Sequence, residues 1–253
     1  MDIVQNFYDQ LAEKYDQLFL DWQATTQEQA IIIDRLIRQF GFDSHTPLLD
    51  CACGIGTQAI GLARLGYPVT ASDISEAELK EAERRAGQNS VTIRFAKADF
   101  RNLSRTFSEQ FSIVIAMDNA LPHMLTPEDL DAAVGSIADR IKAGGICIAS
   151  IRDYDALLAS KPCYAPPYIH KTADGQRVAF QTWDWHGDRF DLIQYIIEDA
   201  ASMQVSKFTC TYRATRRAEL TELFQKHGCS DVTWLFPAET GFYQPIVIAH
   251  KNL

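Results

Sequence analysis

The stretch of this 253-residue chain best suited to chemistry is Leu48-Leu49-Asp50-Cys51-Ala52-Cys53-Gly54-Ile55-Gly56-Thr57-Gln58. A short apolar run ends in a glycine-rich turn that opens a helix, a layout in which a nucleotide-like ligand can approach the backbone closely. The spacing Gly54-x-Gly56-x-x-Ala59 also fits a dinucleotide site. Asp50 separates the two readings: at the strand end, four residues before Gly54, its carboxylate faces a pyrophosphate badly and a cationic ligand well. Asp73, nineteen residues after Gly54 at the tip of a second strand, is placed to accept both hydroxyls of a ribose in either case. No GK[ST] is present to grip the phosphates of a nucleoside triphosphate. A purely structural alternative makes Gly54 and Gly56 a tight turn and Asp50 a helix cap, but strand, turn, helix and second acid occur in the order a ligand site needs.

The elements that must position these residues follow from periodicity. Val4, Phe7, Tyr8, Leu11, Tyr15, Leu18, Phe19 and Trp22 recur at helical spacing, and Thr25 with Glu28 reads as a capping box opening a second helix that Gly41 stops. Strands are expected at 48–52, 68–71, 92–96, 111–117 and 146–151. Helices alternate with them at 57–65, from the Ser75/Glu78 cap to Ala86, and from Thr126-Pro127 to Gly144-Gly145. Five apolar strands separated by helices predict an α/β fold with a mostly parallel sheet covered on both faces. Beyond residue 155 the alternation stops. Turns at Asp174-Gly175 and His186-Gly187, with strands at 178–185, 190–198 and 205–212, predict an antiparallel insert. A helix over 217–227 and strands at 232–236 and 246–250 then return to the sheet edge. The chain reads as one domain: a helical cap at 1–44, a core at 45–155, the insert at 156–215, and a last helix with edge strands at 216–253.

Composition excludes several classes. Lys and Arg number 24 against 33 Asp and Glu, a formal charge of −9, with no concentrated basic face for a nucleic acid. No apolar run approaches the roughly 18 residues of a membrane span, and the first residues lack the basic start and apolar stretch of a signal peptide. Six cysteines without a CxxC pair or a His-rich cluster are expected as reduced, half-buried thiols of a cytoplasmic protein, with no metal site. Cys51 and Cys53 read as small residues near the ligand. The helix after Ser75 carries Glu76, Glu78, Glu81 and Glu83 among Lys80, Arg84 and Arg85, and the i,i+4 pairs Glu76–Lys80 and Glu81–Arg85 give a solvated face.

The series Asp50-x-x-x-Gly54-x-Gly56, Asp73, Ala98-Asp99-Phe100 and Met117-Asp118-Asn119 resembles the motif ladder of class I S-adenosylmethionine-dependent methyltransferases over residues 45 to 150. The resemblance implies a Rossmann-like seven-stranded sheet whose last strand is inserted antiparallel, and S-adenosylmethionine as cofactor. It places Asp50 and Gly54 near the methionine end, Asp73 on the ribose, and Asp99 with Phe100 around the adenine. Tyr15, Ala52, Gly56, Thr57, Ile74, Ala98 and Met117 complete the implied cofactor contacts. Asp99 has a plain alternative as a turn residue after the third strand.

Outside that core, Met117-Asp-Asn-Ala-Leu-Pro-His123, Ile151-Arg-Asp-Tyr-Asp155 and Ser206-Lys-Phe-Thr-Cys-Thr-Tyr212 are similar to glycine N-methyltransferase and its bacterial glycine/sarcosine relatives. The matching positions imply that Asn119 and Arg152 hold an amino-acid acceptor and that Tyr212 lines the transfer site, with Tyr15 in a helix folding over the cofactor. Where the animal enzyme carries an arginine for the cofactor carboxylate, this chain has Thr25-Thr26-Gln27-Glu28-Gln29.

Methyl transfer to an amine asks for a neutral nucleophile in a low-polarity pocket, and Trp183, Trp185, Tyr195 and Tyr212 could line one, although each ring alone reads as sheet core. Arg152 is either a carboxylate clamp or the partner of Asp153 or Asp155. His123 reads as a hydrogen-bonded packing residue before a base. The expected activity is methylation of a small-molecule amine. O- or C-methylation and cofactor binding without catalysis are the alternatives. The stripe on the first helix packs on its own domain or on a neighbouring copy, so a homo-oligomer stays open.

Overall fold

A computed structural model describes residues 3–172, 175–199 and 203–253. Its core is a seven-stranded sheet. Chain order gives helix α1 (Ile3–Leu11), a 3-10 segment (Ala12–Leu18) and α2 (Trp22–Gln39), then β1 (Leu48–Asp50), α3 (Thr57–Arg64), β2 (Val69–Asp73), α4 (Glu76–Gln88), β3 (Arg94–Lys97), β4 (Phe111–Ala116), α5 (Pro127–Asp139) and β5 (Ile141–Ser150). After the short α6 (Tyr154–Ser160) come β6 (Tyr164–Thr172), β7 (Gly175–His186), β8 (Arg189–Asp199) and β9 (Gln204–Arg213), followed by α7 (Arg217–Lys226), β10 (Cys229–Leu235), α8 (Pro237–Thr240) and β11 (Ile246–Lys251).

The large sheet has the order β10-β11-β5-β4-β1-β2-β3. Strands β1 to β5 run parallel, and β11, the last, is inserted antiparallel between β5 and β10. Alternate residues of its strands feed two apolar layers. Leu48, Ile113, Ile115, Ile146 and Ile148 pack on α2, α3 and α4. Leu49, Val114, Ala116, Cys147 and Ala149 join Val134 and Ile137 of α5 and Leu220 and Phe224 of α7. Burial on both faces is what a parallel sheet requires. The strand order reverses at β1, flanked by β2 and β4, and such a switch point opens a crevice at the carboxyl ends of the strands.

Strands β6 to β9 form a separate antiparallel sheet, and one of its faces (Leu192, Ile196, Phe208, Cys210, Tyr212) packs against Phe7 and Leu11 of α1. The cap is pinned to both sheets. Ser75 Oγ accepts from the Glu78 N–H at 3.1 Å and donates to Asp9 on α1 at 2.6 Å, and Lys14 Nζ donates to Ser206 Oγ on β9 at 2.8 Å. Among the described residues no helix is long and apolar enough to cross a membrane.

Several boundaries depart from expectation. Helix α2 is capped by Asp21, whose carboxylate accepts from Ala24 N–H at 3.0 Å; Thr25, expected at the cap, sits one turn inside and its hydroxyl donates to the Asp21 carbonyl. An ionised carboxylate at the first possible cap outcompetes a hydroxyl four residues later. Helix α5 stops at Asp139, short of Gly144-Gly145, because the chain from Ile141 already pairs with β4. A Cβ on Gly145 would sit 2.6 Å from the Ser112 carbonyl, so glycine there admits close approach of β4. Helix α6 and strand β6, which contains Pro166-Pro167, carry no periodic signal. Of the two hairpin turns, His186-Gly187 joins β7 to β8, and Asp174 of the other lies outside the described residues. The thiols are more enclosed than expected: five of the six free cysteines are buried and Cys163 is exposed.

Candidate active site

The glycine-rich turn after β1 folds around a buried carboxylate. Asp73, at the end of β2, accepts from Gly54 N–H and from Ser75 N–H, both at 2.9 Å, so one side chain fixes the turn to the start of α4. Gly54 has φ +51°, and a Cβ there would lie 2.9 Å from Glu78 Oε2. Asp50 is fully buried beneath the turn; one oxygen accepts from Ala52 N–H at 3.3 Å and the other has no partner among the described residues. Glu78 is equally enclosed, with Oε1 unpartnered.

Between this turn, α1 and the loop after β4 lies a cavity of about 390 Å³. Its walls include Ala52, Gly54, Thr57, Asp73, Ile74, Glu78, Asp99, Phe100 and Met117, roofed by Tyr8 and Tyr15. Carboxylates crowd it: Arg101 pairs with Asp99 and Asp129, while Asp73, Glu78 and Asp118 form no salt bridge among the described residues. Burial raises the Asp50 carboxyl from 3.8 to about 8, with Asp73 and Asp118 adding to the rise against the Ala52 hydrogen bond. Burial likewise raises Asp73, Glu78 and Asp118. A cation is the ligand such an enclosure favours.

A second cavity, about 940 Å³, adjoins it and shares Tyr8, Tyr15 and Asp118 as walls. The loop after β4 shapes the junction: Asp118 (φ +55°) and Asn119 (φ +70°) are consecutive left-handed residues held by Ser150, whose hydroxyl accepts from Asp118 N–H and whose carbonyl accepts from Asn119 N–H. Two such residues in a row are sterically costly and persist only where surroundings fix them. Gln58 Nε2 and Tyr243 OH donate to the Asp118 carboxylate at 2.7 and 2.8 Å.

The far wall is the inner face of the antiparallel sheet. Arg152, after β5, lays its guanidinium over the rings of Trp183 and Tyr212, with Cζ 4.9 and 5.6 Å from their centroids. Its Nη2 donates to Gln181 Oε1 at 3.1 Å, and its buried Nη1 has no partner. Asp153 and Asp155, the acids offered by the ion-pair alternative, instead bind Arg217, and Arg152 forms no salt bridge among the described residues. Asn119 Oδ1 accepts from Arg152 N–H at 3.1 Å, and Asn119 is buried beside Tyr154. His123 Nε2 lies 2.7 Å from Tyr8 OH, and its ring packs 4.2 Å from that of Tyr212.

The two cavities bring together most of the residues singled out in the sequence. Gly56, Asp50 and Ala98 stand behind the walls: Gly56 caps α3, Asp50 lies under the turn, and Ala98 is in the core with its N–H on the Asp73 carbonyl. Asp99 lines the cavity but is also the turn residue of its alternative, accepting from Arg101 N–H at 2.9 Å and pairing with the Arg101 guanidinium. Of the insert's rings, Trp183 and Tyr212 face the second cavity. Trp185 packs on Phe190, and Tyr195 stacks on Phe180. Glu78 corrects the solvated-face reading. The pairs Glu76–Lys80 and Glu81–Arg85 form as expected, but Glu78 lies between those rows and turns inward, and Arg85 is buried over Trp22. Gln58 and Asp118 sat unassigned inside quoted motifs. Tyr8 was hidden in an apolar stripe, and Gln181 and His170 gave no local signal.

The order of the large sheet with its antiparallel last strand, and a cavity at the switch point, define the class I methyltransferase architecture. Residues 48–145 match the family described as a methyltransferase domain. Within that class the chain resembles the glycine N-methyltransferase group. It is 30% identical to the glycine/sarcosine N-methyltransferase of Parasynechococcus marenigrum over 61% of this chain and 53% of that protein, so it spans about half the length of this curated relative. A crystal structure of an S-adenosylmethionine-dependent methyltransferase from Clostridium acetobutylicum superposes with a TM-score of 0.75 at 17% identity, covering 97% of this chain and 99% of that one. An amino pentose methyltransferase from Micromonospora echinaspora, determined with S-adenosylmethionine bound, gives 0.76 at 18% identity over 90% and 92%.

Proposed function

We propose that the protein transfers a methyl group from S-adenosylmethionine to an amine nitrogen of a small amino-acid-like molecule. The observation that carries this is the pairing of two adjoining cavities, one lined by buried carboxylates and the other by an unneutralised guanidinium, with Tyr8, Tyr15 and Asp118 common to both. The residues present fit the cofactor. Glu78 in the cavity wall and Asp50 beneath the turn each hold a buried oxygen without a hydrogen-bond partner among the described residues, and the enclosure favours positive charge.

S-adenosylmethionine, when bound, would supply a methyl group on a positively charged sulfur, so that the C–N bond forms as the C–S bond breaks and the positive charge passes to the product ammonium, whose proton is lost to solvent. The protein's part is positioning and exclusion of water. Asp73, Thr57 and Phe100 hold the nucleoside side, and the carboxylate wall favours the cation. On the acceptor side, Arg152 Nη1 is an unpaired donor and Asn119 is joined to Arg152 through the Arg152 N–H to Asn119 hydrogen bond, an arrangement suited to one carboxylate. Trp183 and Tyr212 supply the low-polarity surface that keeps an amine neutral and able to attack. Desolvation holds the phenols of Tyr8, Tyr15 and Tyr212 well above their ordinary range, so they stay protonated. In this scheme residues 45–155 bind the donor, the 156–215 insert shapes the acceptor site, the 1–44 cap closes over both, and 216–253 completes the sheet.

A hydroxyl acceptor would need a base, and His123 Nε2 is already engaged by Tyr8. A binding protein without turnover has no use for the second cavity. The test is calorimetry with S-adenosylmethionine followed by a methyl-release assay across amino acids, amines and phenols. Tight donor binding with turnover of amines is expected. No donor binding, or binding with no product from any acceptor, overturns the proposal.

A further inference from the structure

The second cavity is much longer than an α-amino acid without a side chain requires. Its volume of about 940 Å³ is at the upper end of the range for drug-sized ligands. The register of the antiparallel sheet shows how its groups are spaced. On β7, Gln181, which holds Arg152, shares a face with Ala179 and Arg177, and on β6 Tyr168 lies opposite Ala179 and His170 opposite Arg177. Four residues along a strand place His170 roughly 13 Å from Gln181. The surface between is apolar: Ala179 is buried, and the Tyr168 ring lies parallel to His170 with centroids 6.4 Å apart.

His170 is only 5% exposed, lines the same cavity as Arg152, and neither ring nitrogen has a hydrogen-bond partner among the described residues. Burial, helped by Arg177, lowers its pKa from 6.5, so the ring is neutral and offers one donor and one acceptor. An enclosed imidazole with both nitrogens unpaired is costly, and such groups in native proteins ordinarily meet a partner.

We infer that the acceptor is an extended amino-acid-like molecule whose carboxylate meets Arg152 and whose far end presents a hydrogen-bonding group, an amide or a hydroxyl, to His170. This depends on the methyl-transfer reading above and specifies its substrate. An acceptor lacking the far group leaves His170 unpaired, and one lacking length leaves the apolar floor wet.

The experiment is steady-state methyl transfer by the full chain with glycine, with α-amino acids of increasing length ending in an amide or hydroxyl, and with apolar side chains of matched length. Wild type, His170→Ala and His170→Gln are compared, with donor binding followed by calorimetry and folding by circular dichroism. In the wild type, kcat/KM should rise at least tenfold from glycine to the best amide- or hydroxyl-ended acceptor. His170→Ala should lower it about tenfold for those acceptors through KM, leave glycine and the apolar series unchanged, and be rescued by His170→Gln, which keeps a donor and an acceptor. Glycine performing as well as any longer acceptor in the wild type, or equal losses across all acceptors in a folded His170→Ala, overturns the inference while leaving methyl transfer standing. Absence of donor binding or of any transfer overturns both.

Discussion

The two cavities meet at Tyr8, Tyr15 and Asp118 yet are built by different means. The smaller is made of turns: the backbone N–H groups of Gly54 and Ser75 converge on Asp73, and the loops after β1, β2 and β3 form its walls. The larger is made of side chains set at alternate positions on paired strands, with Gln181, Trp183, Leu192, Gln194 and Tyr212 on one face. The first pairs its one guanidinium, Arg101, with Asp99 and Asp129 and keeps other buried carboxylates without a cation, whereas the second keeps one cation without a counter-ion. A turn-built site is conserved in shape by backbone geometry, whereas a sheet-built one can be retuned one side chain at a time. The glycine-turn cavity should therefore tolerate little change, and the sheet cavity should change specificity when altered.

The largest effect is expected where the contrast in charge is sharpest. Arg152→Ala removes the unpaired guanidinium, and loss of one partner of an enclosed charge pair costs about 2–5 kcal/mol. The acceptor KM should rise by about 10²–10³-fold while the donor Kd moves less than about twofold, measured by steady-state kinetics and calorimetry on the same preparation. Equal effects on both ligands would mean that the cavities are not separate in function.

Next comes pH. Asp50 titrates at about 8 in the ligand-free protein against 3.8 ordinarily, so it is protonated at pH 6 to 7 and a bound cation favours its ionised form. Donor binding should release a proton below pH 8, and affinity should rise by up to about tenfold per pH unit between pH 6 and 8 and then level. Asp50→Asn should flatten this profile, and calorimetry in buffers of different ionisation enthalpy reads the proton directly. The sign for folding is opposite. The folded state binds the extra proton, so this group's contribution to ligand-free stability is full below about pH 4 and is lost as pH rises through about 8. A donor-induced gain in Tm that shrinks from pH 6 to pH 8 would contradict the assignment.

Asp73→Asn tests the turn itself at smaller cost. Asparagine keeps one acceptor oxygen and loses the charge, so one of the two backbone bonds to Gly54 and Ser75 is surrendered. Hydrogen bonds to charged groups are worth about 1.5–3 kcal/mol, and donor Kd should rise about 10–100-fold with the acceptor KM little changed. Competition by S-adenosylhomocysteine measures the same loss without turnover.

How much of this was legible in the sequence follows the same division. Strand, glycine turn, helix and Asp73 are contiguous or separated by one βα unit, so local pattern located the smaller cavity and the order of the parallel strands. Glu78 escaped because a charge-rich helix face resembles a solvated one until the β1 turn packs over it and leaves the carboxylate 1% exposed. Arg152 was visible as a residue after β5, but its freedom from ion pairing depended on where Arg217, more than sixty residues on, would place its guanidinium. Gln181 and His170 were not legible, because their meaning lies in the pairing of β6 with β7, and β6 carries two prolines and exposed tyrosines that hide its period.

The smallest expected effect tests whether the sheet positions Arg152 or merely surrounds it. Gln181 Oε1 accepts from Arg152 Nη2 at 3.1 Å and from Trp183 Nε1 at 3.2 Å, while its Nε2 donates to Gln194 Oε1 at 2.8 Å. Gln194 is fixed in turn by the carbonyls of Phe180 and Tyr195. Gln181→Leu removes one hydrogen bond to the charged guanidinium, a loss of about 1.5 kcal/mol at the lower end for such bonds, and should raise acceptor KM about tenfold with kcat nearly unchanged. Gln181→Glu preserves the shape and the bond but supplies the counter-ion that Arg152 lacks. If positioning were all that mattered, Glu would be the milder change. If the free charge is what binds the acceptor, Glu must be worse than Leu, because an acceptor carboxylate then competes with an internal one for the same guanidinium. The order of the two KM values, Glu above Leu, is the expected outcome, and the reverse order would return Arg152 to the role of a structural residue.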